Sequence, residues 1–243
     1  MAIGIAEAEG IVPRFVIGYI TNPRETFVCE LKPWINPETN DYDRVKIAKT
    51  CLALWNWDGG VLLLGFQDNG AYDPIPEDYS PEELFTQDSI QNIIGEYAAI
   101  PFGVDVYCVH LDGTRVIAVV VPQGRTTPLL CKKDSPAQLS PKLKEGILYT
   151  RSLGLNGTPG SGPATQSDLE VITKKCHDNR VADIGKFFSA HLTEENLQVL
   201  TKVIPQVTPN VVSENEADVE FNEFVAQSAE IVAAASTNND GSE

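Results

Sequence analysis

Glu25, Glu30 and Asp68, together with Lys32, are the side chains of this 243-residue chain whose types and spacing could do hydrolytic chemistry. A phosphodiester resists attack because negative oxygens shield its phosphorus, and carboxylates holding Mg²⁺ or Mn²⁺ answer this by neutralising charge and orienting a water. Lys32 follows Glu30 by two residues, so the two share one face of a strand, where Lys32 could contact a scissile phosphate or polarise the water. Glu25 and Glu30 are five residues apart, which on a regular strand puts them on opposite faces. Convergence requires Glu25 to sit in the turn before the strand, or a bulge between the two, and Asn22-Pro23-Arg24 supplies a turn signal. The plain alternative is a solvated Glu30–Lys32 pair, a turn-forming Asp68 and a capping Glu25.

A second constellation is basic. No Lys or Arg stands between Lys49 and Arg115, but Arg115, Arg125, Lys132, Lys133, Lys142, Lys144 and Arg151 then fall within one hairpin-rich region. Such a cluster could track a nucleic-acid backbone, with Arg151 offering a bidentate phosphate contact; the alternative is an ordinary edge whose lysines discourage strand pairing. Trp34, Trp55 and Trp57 are read as core residues, with only Trp57, beside Gly59-Gly60, a candidate exposed aromatic for base stacking. Cys108 and His110 share a strand face, but no second ligand pair has zinc spacing, so core packing and no zinc site are expected. Gly59-Gly60 follows a helix rather than opening one, which argues against a P-loop and a nucleotide cofactor. Neither a Gly-x-Ser-x-Gly elbow nor a convincing Cys/His arrangement is present.

The elements that must position these groups follow from periodicity. Thr26 to Lys32 alternates, with Phe27, Cys29 and Leu31 on one face and Glu30 and Lys32 on the other, as in a half-buried strand. Asp43 can cap a helix carrying Val45, Ala48, Leu52 and Trp55, which Asn56-Trp57-Asp58-Gly59-Gly60 stops. Val61 to Phe66 is a continuous apolar run, the sign of a strand covered on both faces. Phe15 to Ile20 reads as a first strand or a packed arm. Ser80-Pro81-Glu82-Glu83 starts a helix, and a longer one runs from Ser89 to Tyr97. Asp112-Gly113 joins two strands over 104–121 in a hairpin, and Leu129 to Cys131 and Gly146 to Arg151 add short strands. Residues 153–163 read as a mobile Gly/Pro/Ser loop, and Thr165 to Asp168 opens a helix with Leu169, Ile172 and Cys176 at helical spacing.

Glu25-Thr26-Phe27-Val28-Cys29-Glu30-Leu31-Lys32, then Ala53 to Gly60, then Leu63-Leu64-Gly65-Phe66-Gln67-Asp68, resemble the Alba-like domain of the Schlafen family. The shared pattern is roughly E-x-x-x-x-E-x-K, a helix ending A-F-A-N-x-x-G-G, and a strand ending G-V-D-D. The resemblance extends through Arg151-Ser152 and the helix after it, about three-quarters of the chain. Trp57 departs from the usual small residue, and Gln67 from the first of two acids. The resemblance implies an α+β fold with a mixed or antiparallel sheet and packed helices. It also implies a nucleic-acid-engaging protein, with RNA expected over DNA, and in nuclease-active relatives a divalent-metal site at the positions of Glu25, Glu30 and Asp68. The implied activity is an endoribonuclease acting on structured RNA such as tRNA; the competing reading is a non-catalytic nucleic-acid-binding module or an adaptor. Larger relatives face two such domains around RNA, so one copy would build that cleft as a homodimer.

The composition suits one good-sized domain with an extension, or two small ones. The expected organisation is an arm over 1–24, the α+β domain over 25–180, a helical extension over 181–204 and an acidic tail over 205–243 with one short helix from Phe221 to Ala234. The net charge of -16 argues against wrapping nucleic acid, but no Lys or Arg follows Lys202, so the domain is less acidic than the whole. The tail is read as solubilising, as a docking segment for a protein partner, or as a competitor for a basic face. The five scattered cysteines suit reduced thiols in a cytoplasmic protein. No signal peptide and no membrane-spanning segment are expected.

Overall fold

The computed structural model describes residues 12–111, 113–139, 143–154 and 157–191. Two compact units divide the chain, the first ending at Lys186 and the second beginning at Phe187. In chain order the elements are α1 (Arg14–Thr21), β1 (Cys29–Lys32), α2 (Asp41–Trp57), β2 (Gly60–Leu64), α3 (Pro81–Leu84), α4 (Gln87–Tyr97), β3 (Asp105–Leu111), β4 (Thr114–Val121), β5 (Tyr149–Leu153), β6 (Pro159–Pro163) and α5 (Gln166–His191). In the second unit, Phe187 lies edge-on to Phe188 and stacks on His191. The expected tail and its short helix, and residues 192–204 of the extension, lie outside the described residues.

The main sheet is mixed, as expected, with strand order β1-β2-β4-β3. β1 runs parallel to β2, while the β2–β4 and β3–β4 pairs are antiparallel. Alternation along the strands divides the core. Leu62, Leu64, Ile117, Val119 and Val121 face α2 and α4, where Val45, Ala48, Leu52, Ile90 and Ile94 complete the larger cluster. Val61, Leu63, Cys29, Leu31, Val116 and Ala118 face α1, which contributes Val16 and Ile20. β2 is thus covered on both sides, which is why its sequence is unbroken in apolar residues.

Three local readings change. Phe15 to Ile20 forms a helix rather than a strand, since Val16 and Ile20, four residues apart, bury against the sheet while Phe15 is exposed. The cap of α2 is Asn40, whose side chain accepts from the Tyr42 amide. Asp43 instead accepts from the Asn36 amide and the Asn40 side chain. The Gly/Pro/Ser stretch is half strand: β6 pairs antiparallel with β5 in a two-stranded ribbon whose end pairs hold the two prolines, where a missing amide costs least. α2 stops at Asp58 in the left-handed region, followed by Gly60 at φ +150, where a Cβ would meet the Val28 carbonyl oxygen at 2.5 Å. α5 runs unbroken past Arg180. Its start is locked by Thr165 Oγ1, which accepts from the Asp168 amide, while Asp168 accepts from the Thr165 amide.

Candidate functional site

β1 begins with a tight reversal. The Thr26 amide donates to the Cys29 carbonyl at 2.9 Å and the Cys29 amide to the Thr26 carbonyl at 3.4 Å, so Phe27 and Val28 form the turn rather than extending the strand. This reversal brings Glu25 back to the face that carries Glu30. Lys32 Nζ lies 2.7 Å from Glu30 Oε1 and 3.8 Å from Glu25 Oε1, so two of the three acids meet on one lysine. Burial pushes the Lys32 ammonium pKa down, while Glu25, Asp68 and Tyr42 act in the opposite sense. Asp68 is exposed beyond the end of β2.

Arg151, read from sequence as a phosphate contact, is instead an interior group. It is fully buried and pairs with the second oxygen of Glu30. It also donates to Ser161 Oγ at 3.1 Å, the Thr26 carbonyl at 2.6 Å and the Cys29 carbonyl at 3.3 Å. A buried guanidinium demands a charge partner and acceptors, and β1 with its turn, together with β6, supplies both. Burial lowers its pKa to about 10, with Glu25 and Cys29 opposing, which leaves it a cation at neutral pH. Arg125 is likewise buried, donating to the Trp55 carbonyl at 3.0 Å and lying 3.5 Å from Asp58, and so is not a surface contact either.

The remaining predicted cations divide. Lys132, Lys133 and Lys144 are exposed; Lys133 pairs with Glu96 at 2.7 Å, and Arg44 holds the same carboxylate at 2.8 Å. Arg115 pairs with Glu82 at 3.1 Å. Lys142 lies outside the described residues. Trp57 is half-buried, stacked on Phe27 at 4.5 Å with Lys175 Nζ 4.1 Å above its ring, so its faces are already occupied.

Sequence reading missed two lysines. A cavity of about 210 Å³ beside Glu30 and Lys32 is also lined by Tyr42, Lys46, Lys49, Thr50 and Ser161. Tyr42, Lys46, Lys49 and Thr50 recur at i, i+4, i+7 and i+8, a polar stripe on α2 beside its core stripe, and that spacing was the available signal. Lys46 is held 3.7 Å from Asp43 and 4.1 Å above the Tyr42 ring. Lys49 has no carboxylate partner among the described residues. Its pKa is pushed down by burial and then by the Lys32 charge. The cavity lining therefore carries three ammonium groups and the Glu30 carboxylate, with Glu25 and Asp43 reaching Lys32 and Lys46 from beside it, and Lys49 is the lysine whose charge is left to favour a bound anion.

Asn56, within the motif before Gly59-Gly60, is fully buried. Its side chain donates to the Leu129 and Tyr149 carbonyls, each at 2.8 Å, and accepts from the Leu129 amide at 2.8 Å. It fastens α2 to the segment leading into β5, and through β5 fixes the position of Arg151.

The divalent metal implied for Glu25, Glu30 and Asp68 does not fit them as arranged. Both oxygens of Glu30 are taken by cations, and among the described residues the only His/Cys/Asp/Glu group whose ligand atoms all lie within 4.8 Å of one another is Glu82, Cys108 and His110. The expected core packing holds for Cys108, which is half-buried against the larger core cluster, but not for His110, which is exposed on edge strand β3. No helix among the described residues is long and apolar enough to cross a membrane.

Residues 25–154 match the family model described as Schlafen, AlbA_2, just over half of the chain. Among curated proteins, none matches the sequence. Solved structures of limited likeness include these two. The DIP2311 protein from Corynebacterium diphtheriae is 16% identical with a TM-score of 0.44, over 66% of this chain and 32% of that one. The N-terminal domain of a Nitrosomonas europaea protein described as related to the ATP-dependent DNA helicase RecG is 19% identical with a TM-score of 0.36, over 55% of this chain and 86% of that one. The chain thus spans about a third of the length of the first.

Proposed function

This chain belongs to the Schlafen, AlbA_2 family, and on that premise we propose that it is a nucleic-acid-binding module that seats a backbone phosphate in the lysine-lined cavity between β1 and α2. The observation that carries the reading is the convergence of Lys32, Lys46 and Lys49 on one cavity, with Tyr42, Thr50 and Ser161 as neutral hydrogen-bonding partners. Phosphate contacts of this kind position a strand without reading its sequence. The ribose 2′-hydroxyl offers Thr50 and Ser161 a further partner, which favours RNA over DNA. Exposed Lys132 and Lys144 extend the contact.

The test is fluorescence anisotropy with labelled tRNA and with single-stranded DNA of equal length across a salt series. Wild type is expected to bind RNA more tightly, with affinity falling linearly in log[salt]. Lys46→Glu/Lys49→Glu should bind at least about tenfold more weakly with a shallower salt slope, each lost contact removing roughly 0.7–0.9 from it. Equal binding by wild type and variant refutes the cavity.

A second reading, a metal-dependent endoribonuclease acting on structured RNA such as tRNA with Mg²⁺ or Mn²⁺, keeps one observation: Glu25 and Glu30 share a face and meet at Lys32. Schlafen-type domains can bind divalent metals, but the cation-saturated Glu30 favours binding over cleavage. Cutting of tRNA that requires metal and disappears in Glu25→Gln would reverse that preference. A homodimer is the arrangement by which one domain would embrace RNA from two sides; sedimentation that shows only monomer, with and without RNA, counts against it.

A further inference from the structure

We propose that Glu82, Cys108 and His110 form a three-ligand site for a zinc-class divalent ion at the sheet edge opposite β1, separate from the lysine cavity. Cys108 and His110, two residues apart on β3, project from one face, and α3 brings Glu82 over them. The three ligand atoms form a nearly equilateral triangle: Cys108 Sγ to Glu82 Oε1 is 3.5 Å, Cys108 Sγ to His110 Nε2 is 3.5 Å, and His110 Nε2 to Glu82 Oε1 is 3.6 Å. Zinc bonds of about 2.3 Å to sulfur and 2.0–2.1 Å to nitrogen or oxygen, at tetrahedral angles, give ligand separations of roughly 3.6 Å to sulfur and 3.3 Å between the lighter atoms. The observed triangle is thus already one face of a zinc tetrahedron.

The donor set selects the ion. A thiolate and an imidazole with a single carboxylate suit zinc and disfavour Mg²⁺ or Ca²⁺, which take oxygen-rich shells. The fourth position faces a cavity of about 510 Å³ lined in part by Phe85, Gln87 and Val106, so it would hold water or a small exchangeable ligand. Arg115, which pairs across the strands with His110, now neutralises Glu82 from 3.1 Å. Metal entry displaces that exposed guanidinium into solvent, and the Cys108 thiol loses its proton to water as the metal–sulfur bond forms.

The experiment uses the full chain stripped with chelator and titrated with Co²⁺, followed by Zn²⁺ competition and thermal melting with and without Zn²⁺. One equivalent of Co²⁺ should produce a thiolate-to-cobalt charge-transfer band and tetrahedral d–d bands that Zn²⁺ bleaches. Cys108→Ser should abolish the charge-transfer band and the Zn²⁺-dependent rise in Tm. His110→Gln and Glu82→Gln should each weaken binding at least about tenfold, as loss of a ligand does, and Arg115→Gln should tighten it. Circular dichroism and a metal-free melt matching wild type establish that each variant folds. No charge-transfer band in wild type, or a band that survives Cys108→Ser, overturns the proposal. Because Lys46 and Lys49 play no part, RNA binding can fail while this site stands, and the reverse.

Discussion

Replacing Glu30 by Gln should destabilise the fold far more than a surface charge change. The Glu30 side chain is 7% exposed and Arg151 0%, so the substitution leaves a buried guanidinium whose direct acceptors are neutral, the Thr26 and Cys29 carbonyls and Ser161 Oγ, with Glu25 as the remaining nearby charge. Breaking one partner of such a pair costs about 3–5 kcal/mol, because the remaining charge stays desolvated. With a urea slope of about 2 kcal/mol/M for a domain of this size, the unfolding midpoint should fall by roughly 1.5–2.5 M. Lys32 moderates the loss little, since at 19% exposure it can turn its ammonium toward water. Arg151→Met in the Glu30→Gln background should recover much of the midpoint, and the cycle should return a coupling of about 2 kcal/mol or more. Lys174→Gln, which removes an exposed pair with Asp178, serves as the control and should move the midpoint by no more than about 0.3 M. A Glu30→Gln midpoint within about 0.3 M of wild type, or additive single and double variants, would refute the reasoning. The practical consequence concerns nuclease assays: a loss of activity in Glu30→Gln reports a carboxylate role only if the protein is still folded.

The other predictions follow from equally local geometry. Asn56→Leu should lower stability by about 2–4 kcal/mol in urea unfolding, since it removes three buried hydrogen bonds, one from the Leu129 amide and one each to the Leu129 and Tyr149 carbonyls. Gly65→Ala should lower Tm, with φ at +108 and a Cβ 2.7 Å from the Trp34 ring, whereas Gly18→Ala, in a helix with open space around it, should raise stability by about 0.5–1 kcal/mol. Burial pushes the Cys29 and Cys51 thiols up to about 12, so iodoacetamide at pH 8 should modify half-buried Cys108 first and reach those two only on unfolding, as peptide mapping would show. At Glu96, burial tends to raise the carboxyl pKa but is outweighed by hydrogen bonds from Lys133 and Arg44, so its folded value lies below the ordinary 4.5. Its stabilisation is complete above that value and lost as pH falls through the folded one, so the Tm gap between wild type and Glu96→Gln should close in acid.

Much of the scaffold was legible because burial writes itself into spacing. The apolar run of β2, the isoleucines of α4 and the Asn-x-x-Gly-Gly stop of α2 each mark an element whose neighbours demand that pattern. Of the two readings for Phe15 to Ile20 the packed arm holds and the strand does not: an almost unbroken apolar run carries no period, and only the uncovered face of the sheet decides that Val16 and Ile20 turn inward from a helix. β6 was misread because Gly and Pro have no side-chain alternation, and the ladder that orders them belongs to β5. The site divides in the same way. Glu25, Glu30 and Lys32 were found through local spacing, but the turn that joins them falls at Phe27-Val28, within the run that reads as strand, rather than at Asn22-Pro23. Arg151 reads as a surface charge until its partner, far off in sequence, is placed beside it. The α2 lysines look like an ordinary wet helix face until β1 supplies the opposite wall.

The clasp between Arg151 and the β1 turn also sets an order of events during synthesis. Glu30 leaves the ribosome long before Arg151, which bonds residues 122 and 125 positions earlier in the chain. At about 5–20 residues per second, Glu30 waits roughly 6–25 s for its buried counter-charge, with Lys32 alone beside it until then. Through that interval the nascent β1 cannot be buried without leaving one Glu30 oxygen unmatched, so the lysine cavity is assembled late, when β5 arrives, and a chain cut before residue 151 should expose its first strand to chaperones and proteases.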